Sequence, residues 1–334
     1  MDLMDFTAEL LAFGEPTHFE PAFALLRNDL FARLAEHGFR SIALETDRVA
    51  ALDDGFTHGL GEVDANRQLV AWLREYNANA DEPLAFHGFD APTEMFSAPS
   101  PRAYLEHARD YLGLDADVAA LTGDDERWSR SEAILDPAAS PGASAEAREL
   151  RVIADDLLVA LLAQAPRRTA DREAWERAKV HATAGRGLLR YHAASAEPGD
   201  RDTRISRLAG MRAVLMAENL LDIRAVEARR GPTLVFAHNG HLRRSGSGAG
   251  AIVASLLGDR YAFVAGSLGH SEAIGLGDPD PGTYEGLLQR GTKTWTLTAD
   301  IPAGRKRADT KPERGYFGLD QELLDGADAV WHIA

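Results

Sequence analysis

The opening stretch Leu10–Glu45 constrains the fold more than any other part of the sequence. Leu10–Phe13 is a short apolar run that ends at a glycine, which is typical of a strand buried on both faces. Pro21 fits the first position of a helix, and Phe39–Leu44 fits a second strand. The helix would bury one stripe of apolar residues spaced three or four apart: Phe23, Leu26, Leu30 and Leu34. The stretch therefore predicts a β-α-β unit of a parallel sheet.

Further apolar runs extend this sheet. They are predicted strands at Leu84–Phe86, Thr233–Ala237, Tyr261–Ala265 and Asp328–Ile333. We expect an α/β fold with a mostly parallel central sheet flanked by helices and a large helical insertion. Residues 1–96 and 231–334 would form the core that carries the site. Residues 97–230, rich in Ala, Leu, Arg and Glu, would form a helical cap within one composite domain, or a helical subdomain that only adds core.

The composition excludes several classes of partner and chemistry. Acidic residues number 52 against 36 basic ones, a net charge of -16, which argues against nucleic acid or an anionic membrane as partner. The absence of cysteine excludes disulfides and thiolate chemistry. The first five residues contain two aspartates and no Lys or Arg, and no apolar segment is long enough to span a bilayer. We expect a cytoplasmic protein with a small-molecule substrate, and the oligomeric state stays open.

Acid–base residues follow four of the predicted strands. They are Glu15 and His18, then Glu45, then His87, then His238 and His241. A lone histidine at a strand end is more often a structural hydrogen bonder than a catalyst. Four strand ends that each carry such a group, at the edge where open α/β sheets bind ligands, predict a catalytic site.

The motifs narrow the chemistry of this site. Ala265–Gly269 lacks the first glycine of a nucleophile elbow, and Thr292 stands where a phosphate loop needs lysine. A zinc site remains the competitor, because His238 and His241 are three residues apart and His18 could join them. No His-Glu-x-x-His helix supports it. Acid–base chemistry without a metal or cofactor is therefore favoured, in which a histidine deprotonates water and a second histidine or an arginine stabilises the oxyanion.

Several motifs, in order along the chain, resemble those of the erythromycin esterase family. Gly14–His18 resembles its Gly-Glu-x-Thr-His signature, and Ala237–His241 resembles its Ala-His-Asn-x-His motif. Similar agreement is found at Leu44-Glu45, His87–Asp90, Met211–Asn219 and Leu324–Ile333. The resemblance implies an α/β core with helical additions and hydrolysis of a macrolide lactone ester without an obligatory covalent intermediate. It also implies that His18 is the base that activates water.

These considerations give a set of candidate site residues. The predicted catalytic residues are Glu15, His18, Glu45, His238 and His241. The predicted substrate-binding residues are Phe19, Arg27, Arg48, His87 and Asp90. Two positions depart from the family pattern: Phe19 replaces a glycine and should narrow the pocket, and Ala213 replaces an aspartate.

Three functions compete for this site. The leading one is a hydrolase of an ester or lactone, whose activity should rise with pH through the usual histidine range, near about pH 6 to 7. The second is a natural-product biosynthetic enzyme that uses the same His/Glu pair for cyclisation, dehydration or epimerisation. The third is a protein that sequesters a hydrophobic small molecule under the helical cap.

Overall fold

The structure is a computed structural model that describes residues 6–94, 96–166 and 171–334. Residues 1–5, whose acidic character entered the prediction of localisation, lie outside the described residues. The chain divides into two units. The first comprises Met1–Glu45, Gly59–Phe89 and Ala217–Ala334, and the second comprises Thr46–His58 and Asp90–Met216. None of the described helices combines the length and the apolar character that a membrane span requires.

The strands form one sheet in the order β3-β2-β4-β1-β5-β7-β6. They are β1 (Leu10–Glu15), β2 (Ser41–Asp47), β3 (Ala85–Asp90), β4 (Thr233–His238), β5 (Tyr261–Leu268), β6 (Trp295–Thr298) and β7 (Ala329–Ile333). β1 pairs in parallel with β4 and β5, β2 with β4, and β5 with β7. β6 is antiparallel to β7. Because β1, β2 and β5 are buried along their whole length, their sequences are continuous apolar runs rather than alternating ones.

The helices flank this sheet or belong to the long segment between β3 and β4. They are α1 (Pro21–Glu36), α2 (Asp64–Asn79), α3 (Arg102–Leu112), α4 (Val118–Thr122), α5 (Glu126–Ser129), α6 (Glu132–Leu135), α7 (Ala145–Gln164), α8 (Arg172–Ser195), α9 (Arg201–Glu227), α10 (Asn239–Leu242), α11 (Ala249–Leu257), α12 (Tyr284–Gln289) and α13 (Gln321–Asp325). The described part of residues 97–230 contains helices and no strand. The predicted fold class, a mostly parallel sheet with a large helical insertion, is confirmed. The role of that insertion as a cap stays a prediction.

The first β-α-β unit forms as its sequence indicates. Pro21 is the first residue of α1, and the Glu20 side chain caps the helix by accepting a hydrogen bond from the Ala22 amide at 3.1 Å. Gly38, just past the helix, has a φ of 95°, which glycine adopts without strain. Asp64 is the first residue of α2, and Val63 stands at the capping position without a side-chain hydrogen bond.

One predicted strand boundary needs correction, and one strand was not predicted. β3 continues through Gly88 and Phe89 to Asp90, so His87 lies within the strand and not at its carboxyl end. The glycine does not interrupt the strand, because a half-buried strand accepts it at a modest entropic cost. β6 was not predicted, because residues 275–315 show no apolar periodicity; it is a four-residue edge strand of intermediate burial.

The order of the strands contains a topological switch between β1 and β4. β1 leads through α1 to β2, which lies beyond β4 on one side. β4 leads through α10 and α11 to β5, which lies beyond β1 on the other side. Adjacent strands whose connections leave in opposite directions open a crevice at their carboxyl ends, and ligands of open α/β sheets bind there. Glu15 and His238 are the last residues of these two strands, and they are register partners.

Trp331 of β7 connects the core of the first unit to this crevice. Its ring packs edge-on against Phe13, Phe23 and Phe236, at centroid distances of 5.1, 5.0 and 6.1 Å. Its indole Nε1 donates a hydrogen bond to the Gly14 carbonyl at 2.6 Å, immediately before Glu15. The buried aromatic cluster therefore fixes the backbone that delivers the first acid–base group.

Gly14 is needed where β1 meets the start of α10. A Cβ atom at this position would lie 2.1 Å from Oδ1 of Asn239. That oxygen accepts the Gly266 N–H at 2.8 Å, and Asn239 Nδ2 donates to the Gly266 carbonyl at 2.9 Å. Asn239 thus joins the end of β4 to β5, and no side chain fits between it and β1.

We expect Gly14→Ala to lower the free energy of unfolding by about 1–3 kcal/mol, because overpacking forces Asn239 out of its hydrogen bonds with Gly266. Urea unfolding of the two proteins measures the difference. The control is Gly277→Ala, since no heavy atom lies within 4 Å of a Cβ built there. Equal stability of the two variants would contradict the close approach.

Candidate active site

A tight turn after β1 holds the first acid–base pair. Nδ1 of His18 lies 2.6 Å from Oε1 of Glu15, and the two side chains are 35% and 7% exposed. Thr17 stabilises the turn, because its hydroxyl donates to the Arg314 carbonyl at 2.6 Å and accepts the Phe19 amide at 3.1 Å. The buried carboxylate fixes the orientation of the imidazole, whose other nitrogen, Nε2, lies on the side of Glu45.

Glu45, on β2, is the point where three histidines converge. Its Oε2 accepts the backbone N–H of His238 at 3.0 Å, and its Oε1 lies 3.1 Å from Nε2 of His241. Nε2 of His18 lies 3.6 Å from Oε2. With a side chain 7% exposed, this carboxylate is held by neighbours from β4, from α10 and from the turn after β1. It would stabilise a positive charge on His18 or His241.

The His238 ring is held by backbone groups at both nitrogens. Nδ1 accepts the Gly240 N–H at 3.1 Å, so this nitrogen carries no proton. Nε2 lies 3.2 Å from the Pro16 carbonyl and 3.1 Å from the Gly315 carbonyl, which only accept, so Nε2 carries the proton. Burial lowers the pKa of His238 to about 4, with the neighbouring His18 acting in the same direction. We interpret His238 as a neutral residue that positions the turn after β1.

A pocket of about 350 Å³, counting the part open to solvent, lies beside His18. Its polar lining consists of Glu15, His18, Arg27, Glu45 and Asn66. Its apolar lining consists of Ala24, Leu44, Leu60, Val63, Phe236 and Ala237. The cavity itself is only about 20 Å³, room for about one water molecule, and its lining combines apolar side chains with a few convergent polar groups, as small-molecule sites do.

Arg27 places a buried positive charge in this pocket. Its Nε and Nη2 donate to Asn28 Oδ1 at 3.1 and 2.7 Å, and its Cζ lies 5.0 Å from the centroid of the Phe236 ring. Burial lowers the pKa of Arg27 to about 10, and the charge of Glu15 opposes this shift. Burial likewise raises the pKa of Glu15, against the hydrogen bond and charge of His18. Arg27 remains a cation at neutral pH.

The structure brings together all five predicted catalytic residues, and Arg27 lines the same pocket. Phe19 is 54% exposed, and the Arg314 guanidinium lies 6.0 Å above its ring. His87 is held elsewhere in the first unit, with Nε2 2.9 Å from Oε1 of Glu227.

The remaining two predicted residues belong to the second unit. Arg48 donates its backbone N–H to the Asp90 carbonyl at 3.3 Å. The Asp90 carboxylate, fully buried, is bound by Arg212 Nε at 2.9 Å and lies 3.0 Å from His58 Nε2. The predicted role of all ten residues in catalysis or binding stays a prediction.

Sequence reasoning did not identify Asn66 and Asn239 as residues of the site. Asn239 was quoted only as part of a motif, and its bridge between β4 and β5 depends on residues 27 positions apart. Asn66 lies on the inner face of α2, among apolar positions, and a single asparagine at such a position gives no sequence signal.

Within the described residues, no group of three His, Asp or Glu side chains is placed to hold a metal ion. The arrangement also allows general-base chemistry. His18 has one nitrogen on a buried carboxylate and the other beside the pocket, so it can take a proton from a water molecule there. Arg27 supplies positive charge in the same cavity.

Comparison with known proteins places this site in context. The sequence model described as erythromycin esterase matches residues 34–329. A Bacillus cereus protein of solved structure aligns with 97% of this chain and 88% of its own, at 16% identity and a TM-score of 0.68. No curated protein matches the chain.

Two other solved structures are similar. A histidine-to-asparagine mutant of the erythromycin esterase EreC, in its open conformation, aligns over 97% of this chain and 90% of its own, at 16% identity and a TM-score of 0.64. A succinoglycan biosynthesis protein aligns over 98% and 87%, at 17% identity and a TM-score of 0.68. At these identities the likeness shows the fold.

The neutral state of His238 makes stability depend on pH. Its pKa is about 4 in the folded chain, below the ordinary histidine value, so the unfolded chain takes up the proton first as the pH falls. This residue should cost about 2–3 kcal/mol of stability between pH 6.5 and 4. We expect His238→Gln, which keeps a donor but does not titrate, to flatten the curve of unfolding free energy against pH in that window.

Urea unfolding at several pH values measures this curve. His37→Gln, at an exposed histidine directly after α1, is the control and should retain the wild-type slope. Parallel curves for wild type and His238→Gln would show that His238 takes up protons equally in both states.

Proposed function

The chain belongs to the erythromycin esterase family, and from that premise and the geometry of the site we propose that it hydrolyses an ester or lactone. In this proposal His18 activates the attacking water, and the reaction proceeds without a covalent enzyme intermediate. A macrolide lactone is the substrate that the family name suggests.

One observation carries the proposal: His18 stands between two buried carboxylates at the wall of a pocket that also contains an arginine. Its Nδ1 lies 2.6 Å from Glu15, and its Nε2 lies 3.6 Å from Glu45. As a carboxylate, Glu15 accepts the Nδ1 proton, so the lone pair of His18 is on Nε2. A histidine oriented by a carboxylate is the arrangement by which hydrolases activate water or a hydroxyl.

The proton and the charges can be followed through the reaction. Nε2 of His18 takes a proton from water while the water oxygen bonds to the carbonyl carbon. The carbonyl oxygen becomes an oxyanion, which the Arg27 guanidinium stabilises. When the carbon–oxygen bond of the ester breaks, the imidazolium of His18 returns its proton to the leaving alcohol.

The two carboxylates stabilise the imidazolium that forms between these steps. Glu15 accepts the hydrogen bond of Nδ1, and the Glu45 carboxylate faces Nε2. Glu45 is held in place by the backbone of His238 and the side chain of His241, which share its negative charge. We therefore propose that His241 adjusts the effective negative charge of Glu45, and so the strength with which Glu45 stabilises the imidazolium of His18.

A second candidate function is a biosynthetic enzyme that uses the same pair for cyclisation, dehydration or epimerisation. It is favoured by the structural neighbour described as a succinoglycan biosynthesis protein, and by Phe19, which stands where the family has glycine beside the signature histidine. This reaction would use the same base and would add no oxygen from water to the product.

We expect His18→Ala to lower kcat/KM by about 100- to 10,000-fold, the usual contribution of a general base. The assay incubates a panel of lactones, aryl esters and macrolides with enzyme in heavy-oxygen water, followed by mass spectrometry. Hydrolysis adds one labelled oxygen to the acid product. The control is His37→Ala, at an exposed histidine directly after α1.

Each outcome of this assay separates the candidates. Label that wild type incorporates and His18→Ala does not would support hydrolysis. An unlabelled isomer or a dehydrated product that requires His18 would select the biosynthetic alternative. Turnover by His18→Ala equal to wild type would exclude both, because each assigns the proton transfer to that histidine.

We expect Glu15→Gln to be less active than wild type and, at pH 8, more stable. Because burial raises the pKa of Glu15, its ionisation destabilises the fold once the pH exceeds the ordinary glutamate range, near about 4.3. Glutamine does not ionise, so the variant should be more stable than wild type at pH 8 and show no such gain below pH 4. Its kcat should fall by about 100- to 10,000-fold, because an amide no longer stabilises the imidazolium.

Urea unfolding at the two pH values and steady-state kinetics test both parts. Glu313→Gln, at an exposed glutamate, is the matched control for removal of one negative charge. A variant that is less stable than wild type at pH 8 would contradict the raised pKa of Glu15.

A further inference from the structure

The cavity beside His18 is too small to enclose a substrate. Its volume of about 20 Å³ is room for about one water molecule, whereas an ester contributes at least several non-hydrogen atoms. The larger part of any ester that meets His18 therefore lies outside this cavity. The side chain of His18 is itself 35% exposed, so the surface around its ring is the place where that part of the substrate would rest.

Two exposed phenylalanines adjoin this surface. Of the 13 phenylalanines, all of which lie in the described chain, three are exposed: Phe19, Phe96 and Phe317, at 54%, 48% and 50%. Phe19 follows His18 directly in the chain. The Phe317 ring lies 6.1 Å from the ring of His238, which lies 5.8 Å from the ring of His18, between centroids. Two of the three exposed phenylalanines thus stand beside the proposed base.

Hydrogen bonds hold the backbone of both phenylalanines in place. The Thr17 hydroxyl accepts the Phe19 N–H at 3.1 Å and donates to the Arg314 carbonyl at 2.6 Å. The Phe317 N–H donates to the Pro16 carbonyl at 3.4 Å. These bonds join the turn after β1 to the loop that carries Phe317, so the two phenylalanines belong to one connected surface.

Phe317 is held between buried neighbours. Tyr316 is fully buried, and its hydroxyl accepts from Nη1 of Arg307 at 3.3 Å. Leu319 is 1% exposed, and its N–H donates to Oε1 of Glu285 at 2.6 Å. Because the chain is anchored on both sides, the ring of Phe317 stays at the surface. A single exposed apolar side chain needs no explanation, but two that flank a reactive group form a candidate binding surface.

We propose that Phe19 and Phe317 form an aromatic rim that binds a large apolar group of the ester substrate while the carbonyl group faces His18. Such a group would cover both rings, and removal of their apolar surface from water favours binding. The Arg314 guanidinium, 6.0 Å above the Phe19 ring, adds a cation–π contact that favours one orientation of this ring. The inference rests on the proposed hydrolysis and adds to it the class of substrate.

The turnover test compares ethyl acetate with benzyl acetate and ethyl phenylacetate, which carry a phenyl ring on the alcohol side and on the acyl side. We expect wild type to prefer at least one of the phenyl esters in kcat/KM. This preference should fall about fivefold to tenfold in Phe19→Ala and in Phe317→Ala, which corresponds to a loss of about 40–60 Å² of apolar contact. Comparing each variant with wild type cancels the intrinsic reactivity of the esters.

Two further variants separate recognition from a general effect of truncation. Phe317→Leu keeps most of the apolar surface and should retain most of the preference. Phe96→Ala makes the same truncation at an exposed phenylalanine of the second unit and should leave the preference at the wild-type value. The aromatic rim would be overturned if wild type hydrolyses the three esters without this preference, if either Phe19→Ala or Phe317→Ala retains it, or if Phe96→Ala loses it equally.

A binding test keeps this inference distinct from the proposed hydrolysis. In methyl propyl ketone, benzylacetone and benzyl propyl ketone a methylene group replaces the ester oxygen of the three substrates, so calorimetry can measure their binding to wild type without turnover. Tighter binding of a phenyl ketone that is lost in Phe317→Ala would support the aromatic rim even if no ester is hydrolysed, in which case the hydrolase proposal alone fails. Equal binding of the three ketones would overturn the rim even if hydrolysis that depends on His18 is found.

Discussion

The site depends on one buried carboxylate. Glu45 accepts the backbone N–H of His238 and faces the rings of His241 and His18, so it joins residues more than 200 positions apart along the chain. A carboxylate with so little exposure is stable only where donors surround it. The same donors fix the carboxyl ends of β2 and β4 beside β1. The contacts that stabilise the charge of Glu45 are therefore also the contacts that hold the site together.

The three histidines differ because their second nitrogens meet different partners. Both nitrogens of His238 are occupied by backbone groups, so the ring stays neutral and links the turn after β1 to the loop at Gly315. His241 gives its Nε2 to Glu45. His18 has Nδ1 on a buried carboxylate and Nε2 beside the pocket. All three rings lie near Glu45, so it is their different hydrogen-bond partners that make His18 the proposed base and His238 the proposed positioning residue.

Much of this could be predicted from local sequence, and the rest depends on long-range contacts. The strands that carry Glu15, Glu45 and His238 are continuous apolar runs, and parallel pairing brings their carboxyl ends to one edge. His87 was misplaced by three residues because Gly88 continues the strand. The occupied nitrogens of His238 and the place of Phe317 beside its ring could not be predicted, since these contacts follow from tertiary packing.

The site also concentrates groups that burial disfavours in their charged forms. Burial raises the pKa of Glu15, lowers that of Arg27 to about 10 and lowers that of His238 to about 4. The shifts of Glu15 and Arg27 lower stability at neutral pH, and that of His238 lowers it only below about pH 6.5, so the rest of the fold must offset this cost. The aromatic cluster around Trp331 offsets it where it arises, because the same indole that packs against Phe13 and Phe23 holds the Gly14 carbonyl. The rigid apolar cluster around Trp331 packs against the backbone of the site, and this support allows the polar groups of the site to be both buried and ordered.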